Sequence, residues 1–281
     1  MIPPRDLSLL ANRLAEAGGR RLPEAVLERD YCLAWFLVAL SRTSLRERLV
    51  FKGGTAIKKC YVGGYRFSED LDFTLATGST FDEIRRDLDP VFAEARRATG
   101  AVFRFAREDR RTHENSYTFY LGYEGPLPTP AGGRELKVDV TVRERLVFPI
   151  EDRPVLREYE EYADLPEDAK VRVYSVGEIV AEKVVALTDR ARNEPRDLYD
   201  VWRLVSEGHV EIAGIVAAIE QKWDFRGRRL ADVRAEFAAK EPRYRKLWDH
   251  RLSGQLVELP EFDDVYRTVR RALRQAGLTG K

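Results

Sequence analysis

The pattern of apolar residues changes once along this chain of 281 residues, and the change limits the folds that it can adopt. Residues 49–147 form short β-rich segments with one helical pattern between them. After Pro154, an acidic connector at residues 158–167 leads into sequence with helical periodicity. The sequence therefore predicts an α+β lobe with a mixed or antiparallel sheet over residues 1–170, followed by a helical lobe over residues 171–281.

Periodicity and turn residues also predict the individual elements. The predicted helices are residues 7–17, 23–41, 81–98, 176–191, 197–206, 212–223, 230–239 and 263–275. The predicted strands are residues 71–75, 101–107, 116–123, 135–142 and 171–174. The glycine- and proline-rich residues 122–133 are expected to form a long loop inside the first lobe.

Charge and histidine content narrow the kinds of binding site that the chain could contain. Lysine and arginine number 48 against 47 aspartates and glutamates, so any site for a polyanion must be a local one. His113, His209 and His250 lie far apart, without the spacing of zinc ligands. Hard oxygen ligands would therefore have to hold any metal.

The two cysteines and the first residues of the sequence indicate the cellular compartment in which the protein is expected. Cys32 lies in the apolar run of residues 32–40, where a buried thiol is expected, and Cys60 is the other cysteine. The chain does not begin with a basic stretch before an apolar segment, and the apolar run is too short to span a membrane. We therefore expect a soluble protein of the reducing cytoplasm, with no membrane partner.

Asp70 and Asp72 are two residues apart in a predicted strand. Both carboxylates then project from one face, while Leu71 and Phe73 point to the other. Two carboxylates about 6.5 Å apart repel each other by roughly 2 to 3 kcal/mol at an effective dielectric constant near 20, and a divalent cation reverses that cost. The pattern predicts a metal site, and the alternative is a solvated strand end.

Asp139 is a third candidate metal ligand. In residues 136–142 every second residue is apolar, and Asp139 lies at the centre of the opposite face. A neighbouring strand could place it beside Asp70 and Asp72, completing the three-carboxylate set that binds two Mg²⁺ ions in nucleotidyl transfer. The alternative is an ordinary exposed aspartate.

Gly53 and Gly54 end an apolar stretch sixteen residues before Asp70 and precede a helix-like segment. Glycines at this point allow close backbone approach and leave N–H groups free for a phosphate at a helix start. The spacing of a Walker A loop is absent.

Lys183 lies in the middle of the apolar stripe of the predicted helix at residues 176–191. A buried ammonium needs an anion, either a triphosphate or a carboxylate, unless its side chain extends past the edge of the core. Asp197 begins the next predicted helix, where an N-cap or first-turn acid is as reasonable an interpretation as a catalytic acid.

These residues occur in an order that resembles the AbiEii/AbiGii toxin family, the nucleotidyltransferase toxins of AbiE-type and MenAT-type toxin-antitoxin systems. The resemblance covers residues 45 to 205 and rests on five segments, at residues 52–55, 66–73, 137–140, 178–183 and 195–200.

The resemblance implies a polymerase-β-like nucleotidyltransferase core, Mg²⁺ or Mn²⁺, a nucleoside triphosphate donor, a cognate antitoxin and an RNA acceptor, the tRNA 3′ end. It implies that Asp70, Asp72 and Asp139 bind metal and that Lys183 and Asp197 also act in catalysis. It further places Gly53, Gly54, Thr55, Ser68 and Lys183 at the nucleotide and makes Ser68 a candidate for phosphorylation by an antitoxin kinase.

Two basic runs beside aromatic residues are candidate acceptor sites, because cations bind phosphates and aromatic rings stack on unpaired bases. The first run combines Arg226, Arg228 and Arg229 with Trp223 and Phe225, and the second combines Arg243, Arg245 and Lys246 with Tyr244 and Trp248. Solvated helix faces are the simpler interpretation. Alternative functions are an antibiotic nucleotidyltransferase, an inactive RNA- or partner-binding protein, and a metal-dependent nuclease.

Overall fold

The computed structural model describes residues 1–17, 19–109, 114–229 and 236–279. The described chain divides into two compact units. The sheet unit comprises Met1–Glu144 and Ile150–Tyr174, and the helical unit comprises Arg145–Pro149 and Ser175–Lys281. The segment at residues 145–149 therefore belongs to the helical unit although sheet residues precede and follow it.

A seven-stranded mixed sheet forms the centre of the sheet unit, with the strand order β3-β4-β5-β2-β1-β7-β6. The strands are β1 (Leu49–Lys52), β2 (Asp70–Leu75), β3 (Val102–Glu108), β4 (Ser116–Glu124), β5 (Glu135–Thr141), β6 (Ile150–Pro154) and β7 (Lys170–Tyr174). β2 pairs antiparallel with β1 and parallel with β5, and β1 pairs parallel with β7. The predicted α+β class with a mixed sheet is confirmed.

Four helices complete the sheet unit: α1 (Pro4–Glu16), α2 (Glu24–Ser41), α3 (Gly53–Cys60) and α4 (Phe81–Thr99). Every residue of α2 from Asp30 to Leu40 is buried, and from Cys32 to Leu40 the helix is apolar on all sides. A capping box between Thr80 and Glu83 begins α4, and Gly100, at φ 83°, ends it.

The helical unit contains α5 (Val176–Leu187), α6 (Pro195–Ser206), α7 (Val216–Phe225), α8 (Glu236–Ala239), α9 (Glu241–Leu252) and α10 (Phe262–Gln275). Each contributes buried side chains to the core of the unit. α10 is the most regular of them, since Phe262, Val265, Val269 and Leu273 are buried at helical spacing.

Several predicted boundaries need correction. The helix predicted over residues 176–191 ends at Leu187, and that predicted over 212–223 is a 3-10 turn, Ile212–Ile215, followed by α7. Residues 230–235 of the helix predicted over 230–239 lie outside the described residues. Strands β1 and β6 and helix α9 were not predicted. β1 and β6 are short, and α9 has a proline, Pro242, in its first turn, where proline is tolerated.

The cysteine prediction is confirmed, since Cys32 and Cys60 are both free and buried. Burial raises the pKa of the Cys60 thiol to about 12. Within the described ranges, no helix is both long and apolar enough to cross a membrane.

Candidate active site

Strand β2 presents Asp70 and Asp72 on one face, where both are half-buried, while Leu71 and Phe73 are fully buried on the other. The parallel partner β5 aligns Asp139 with Asp72 and Lys137 with Asp70. The three predicted carboxylates therefore lie on one face of two adjacent strands. The prediction for Asp139 required its strand to be a neighbour of the strand that carries Asp70 and Asp72, and β5 and β2 are paired in the structure.

The Asp139 carboxylate has a partner at each oxygen. The Thr118 hydroxyl on β4 donates to Oδ1 at 2.6 Å, and the Lys137 ammonium donates to Oδ2. Burial lowers the pKa of Lys137, but the hydrogen bond to Asp139 and the charges of Asp139, Asp70 and Asp72 raise it above its ordinary value overall. Lys137 is therefore a cation embedded in the field of all three acids.

The chemistry of the three carboxylates fits a divalent metal, but their present arrangement does not. Three carboxylates on one face supply the hard oxygen ligands that Mg²⁺ prefers. In the part of the chain that the structure describes, however, no three histidine, cysteine, aspartate or glutamate side chains are arranged to hold a metal ion. To bind the metal ion, Asp139 would have to release the ammonium of Lys137.

Gly53 and Gly54 begin helix α3 at the edge of this carboxylate face. Gly53 has φ +80°, and a Cβ atom there would lie 2.5 Å from Asp72 Oδ2. A Cβ atom on Gly54 would collide with the guanidinium of Arg66. Gly53 needs glycine because of its positive φ and the close approach of Asp72, whereas a side chain at Gly54 would require the Arg66 guanidinium to shift.

Thr55 and Ser68 are two further residues of the predicted nucleotide site. Thr55 is fully buried, and its hydroxyl donates to the backbone carbonyl of Asp70. It therefore ties α3 to β2, and a direct contact of Thr55 with the nucleotide stays a prediction. Ser68 is half-buried in the segment that leads into β2.

Arg66 is a candidate site residue to which the sequence interpretation gave no role. Its guanidinium lies against Gly54, and the side chain is 3% exposed. The available signal was its position four residues before Asp70, within one of the five segments that carry the family resemblance.

A buried ion pair holds the segment that carries Arg66. Lys58 Nζ donates to Glu158 Oε1 at 2.7 Å, and the same oxygen accepts the backbone N–H of Gly64. Lys58 Nζ also lies 4.1 Å from the centroid of the Phe67 ring. The pair therefore fixes residues 61–67 relative to α3.

Lys183 lies in the helical unit and contacts two carboxylates. Its Nζ is 2.6 Å from Asp197 Oδ1 and 2.8 Å from Asp200 Oδ2. Lys183 is 9% exposed, Asp197 1% and Asp200 0%. Of the alternatives for a lysine in an apolar stripe, the carboxylate partner is the one observed.

Asp197 is not the N-cap of α6, since that position belongs to Glu194, but it is an acid of the first helical turn, as predicted. Its carboxylate turns inward and also accepts a hydrogen bond from Arg192 Nε at 2.6 Å. Burial raises the pKa of Asp197, but the charges of Lys183 and Arg192 together lower it by more, so that the pKa lies below its usual value. Asp200 was missed, although its spacing of three from Asp197 puts both acids on one face of α6.

Glu178 and Lys222 have a structural role in the helical unit. Glu178 Oε2 accepts the backbone N–H groups of Val147 and Phe148, at 3.0 and 2.8 Å. Lys222 Nζ lies 2.6 Å from Glu178 Oε1 and donates to the carbonyl of Arg145 at 2.9 Å. These contacts hold residues 145–149 on α5 and α7.

The expectation that aromatic side chains beside the basic runs stack on bases is wrong for three of them. Trp223, Tyr244 and Trp248 are 1%, 0% and 3% exposed and belong to the core. Phe225 alone of the four is largely exposed, at 52%. In the second run, Arg245 is engaged by carboxylates of the unit, including Asp263.

The predicted site residues thus form two groups. The sheet unit brings together Gly53, Gly54, Asp70, Asp72 and Asp139. The helical unit brings together Lys183 and Asp197.

Comparison with known proteins identifies the family. A sequence model of the nucleotidyl transferase AbiEii toxins, of type IV toxin-antitoxin systems, matches residues 35–268. No curated protein sequence matches. MenT4, a nucleotidyltransferase toxin of Mycobacterium tuberculosis, shares 22% identity and a TM-score of 0.56, over 98% of this chain and 99% of that chain.

The crystal structure of JHP933 from Helicobacter pylori has a TM-score of 0.54 at 16% identity, over 91% of this chain and 93% of that chain. At such identities the two structures are similar to this chain in fold. The family match covers most of the chain and identifies more than the fold: the chain belongs to the AbiEii nucleotidyltransferase toxins of type IV toxin-antitoxin systems.

Proposed function

We propose that this toxin transfers a nucleoside monophosphate from a nucleoside triphosphate to RNA, at the 3′ end of tRNA, and so blocks translation. The observation that carries the proposal is the alignment of Asp139 with Asp72, which puts three carboxylates on one face beside the glycines of α3. A binding protein without catalysis would have no need for this concentration of negative charge. The acceptor and a cytoplasmic location are predictions from the family resemblance.

The reaction joins the acceptor hydroxyl oxygen to the α-phosphorus. The bond from that phosphorus to the β-phosphate oxygen breaks, pyrophosphate leaves, and the hydroxyl proton passes to a nearby base or to water. Asp70, Asp72 and Asp139 would hold Mg²⁺ or Mn²⁺, which supplies charge neutralisation and activation of the hydroxyl when bound.

The remaining groups of the sheet unit would bind the triphosphate. Gly53 and Gly54 let phosphate oxygens approach the backbone N–H groups at the start of α3, as at other helix N-termini. The guanidinium of Arg66, which already lies against Gly54, is suited to a phosphate oxygen. Catalytic roles for Lys183 and Asp197 remain predictions, because their observed contacts are those of a buried ion-pair cluster.

The acceptor proposal has a decisive experiment. The purified protein is incubated with total tRNA, each labelled triphosphate in turn, and Mg²⁺ or Mn²⁺. We expect label on intact tRNA and none on tRNA whose 3′ ribose has been oxidised by periodate. Transfer to an aminoglycoside but not to RNA would establish the antibiotic-modifying alternative, and no transfer to either would favour the binding protein.

An arginine stripe on α10 is the surface that we propose for the RNA backbone. Arg267, Arg270, Arg271 and Arg274 are exposed on the side opposite the buried apolar residues of the helix. Asp264 lies 3.4 Å from Arg267, whereas the other three have no carboxylate partner within the described ranges. A row of such cations matches the regular spacing of phosphates and does not depend on sequence.

Replacing Arg270, Arg271 and Arg274 by glutamine should raise the KM for tRNA about tenfold or more and leave the KM for the triphosphate unchanged. The slope of log KM against log salt concentration should fall by about 2, because each lost phosphate contact contributes about 0.7 to 0.9 to the slope. The matched control replaces the exposed Arg5, Arg20 and Arg96 and changes net charge equally. Equal effects of the two triple variants would rule out a specific role for α10.

A further inference from the structure

Lys137 is an unexpected group on the carboxylate face. It lies two residues before Asp139, aligns with Asp70, and donates to Asp139 Oδ2. Its side chain is 37% exposed and that of Asp139 27%, so solvent and ions reach both groups. The nucleotidyl transfer proposed above needs Asp139 as a ligand, yet this oxygen already has a cation.

The position of Lys137 follows from the charge of the face. Asp70, Asp72 and Asp139 repel one another when they are ionised, and one ammonium among them offsets part of that repulsion. The other oxygen of Asp139 accepts the Thr118 hydroxyl, which is neutral and does not compete electrostatically with a cation. A divalent ion that binds Asp139 must therefore displace the ammonium, or share the carboxylate with it against charge repulsion.

We propose that Lys137 is a resident counter-ion that competes with the divalent metal for Asp139 and couples metal binding to triphosphate binding. While the nucleotide is absent, the ammonium neutralises Asp139 and keeps metal affinity low. When a metal–triphosphate complex arrives, the displaced ammonium gains phosphate oxygens as new partners. This inference rests on the proposed function, because it assumes that the three carboxylates bind metal.

Metal binding itself provides the test, without any measurement of activity. Mn²⁺ is titrated into the full-length, nucleotide-free protein by calorimetry, for the wild type, Lys137→Met and Thr118→Val. We expect Lys137→Met to bind Mn²⁺ about tenfold more tightly, because a competing charge is gone. Thr118→Val removes only the neutral partner of Asp139 and should stay within about threefold of the wild type.

Coupling is measured by repeating the titration with a non-hydrolysable triphosphate analogue. The analogue should strengthen Mn²⁺ binding more in the wild type than in Lys137→Met, and Lys137→Arg should behave like the wild type because it keeps the positive charge. Melting temperature gives a check on folding: Lys137→Met should lose stability through carboxylate repulsion and recover it when Mn²⁺ is added.

The outcomes separate this inference from the proposed function. Equal Mn²⁺ affinity in wild type and Lys137→Met, with binding lost in Asp72→Asn, would overturn the role of Lys137 and leave the metal site standing. Absence of Mn²⁺ binding in every variant, with and without the analogue, would overturn both proposals.

Discussion

The protein contains two charged clusters that differ in how far they are exposed to solvent. On the sheet face, Asp70, Asp72 and Asp139 are half-buried, and the Lys137 ammonium that contacts Asp139 is itself 37% exposed. In the helical unit, Lys183 and Arg192 balance Asp197 and Asp200, and the two acids are almost fully buried. The first cluster is suited to binding a cation, and the second is nearly neutral by itself.

Removing one member of each cluster should therefore have opposite results. A half-exposed group can be lost with little harm to the fold, because water solvates the partners that it leaves. A buried group in a charge-balanced cluster cannot be removed without destabilising the fold, because its charged partners then lie away from water without a counter-charge. Activity and stability, measured on the same variants, test this distinction.

The largest expected effect is on activity, from Asp72→Ala. Transfer should fall by about three orders of magnitude or more, because the proposed metal ligands no longer form a set. The melting temperature should change little, since Asp72 is half-buried and no core volume is lost. Asp152→Asn, an exposed strand carboxylate on β6, is the matched control and should retain full transfer. Normal transfer by Asp72→Ala would end the catalytic interpretation of this face.

The next largest effect is on stability, from Lys183→Met. Asp197 and Asp200 then lose their shared ammonium, and the free energy of unfolding should fall by about 3 to 5 kcal/mol. Denaturant titration measures the loss. Adding Asp197→Asn and Asp200→Asn to Lys183→Met should restore part of it, because the stranded charges are removed as well. Lys183→Met with unchanged stability and lost transfer would mean that the lysine acts on the nucleotide instead.

Ser68→Glu should reduce transfer by at least about tenfold with little change in melting temperature. Ser68 lies two residues before Asp70, so an added negative charge opposes the triphosphate close to acids that already repel it. Ser68→Gln is of similar size without the charge and should be far less affected. Equal losses in the two variants would point to sterics and weaken the case for control by phosphorylation.

The smallest expected effect is a pH dependence of stability. The pKa of Asp197 in the folded protein lies below its ordinary value of 3.8, so the unfolded chain takes up the proton first as pH falls. The contribution of Asp197 is therefore complete above pH 3.8 and is lost as pH falls through the folded pKa. Unfolding between pH 5 and the acid limit should show a steeper loss for the wild type than for Asp197→Asn. Parallel curves would contradict the charge balance described here.

Local sequence was sufficient for features that depend on neighbouring residues. Strand periodicity placed Asp70 and Asp72 on one face, and two consecutive glycines marked the start of α3. The all-apolar run in α2 predicted a buried helix and a buried Cys32. Each of these depends on backbone geometry over a few residues, which the local sequence largely determines.

Only the tertiary structure decided which charges meet. Asp72 and Asp139 are 67 residues apart in the chain, and their alignment depends on the parallel pairing of β2 with β5, which no local pattern encodes. The same is true of the contact of Lys183 with Asp200, and of the burial of Trp223, Tyr244 and Trp248 beside basic residues. Local periodicity determines the face on which a side chain lies, whereas long-range packing determines what that face contacts, and the function depends on both.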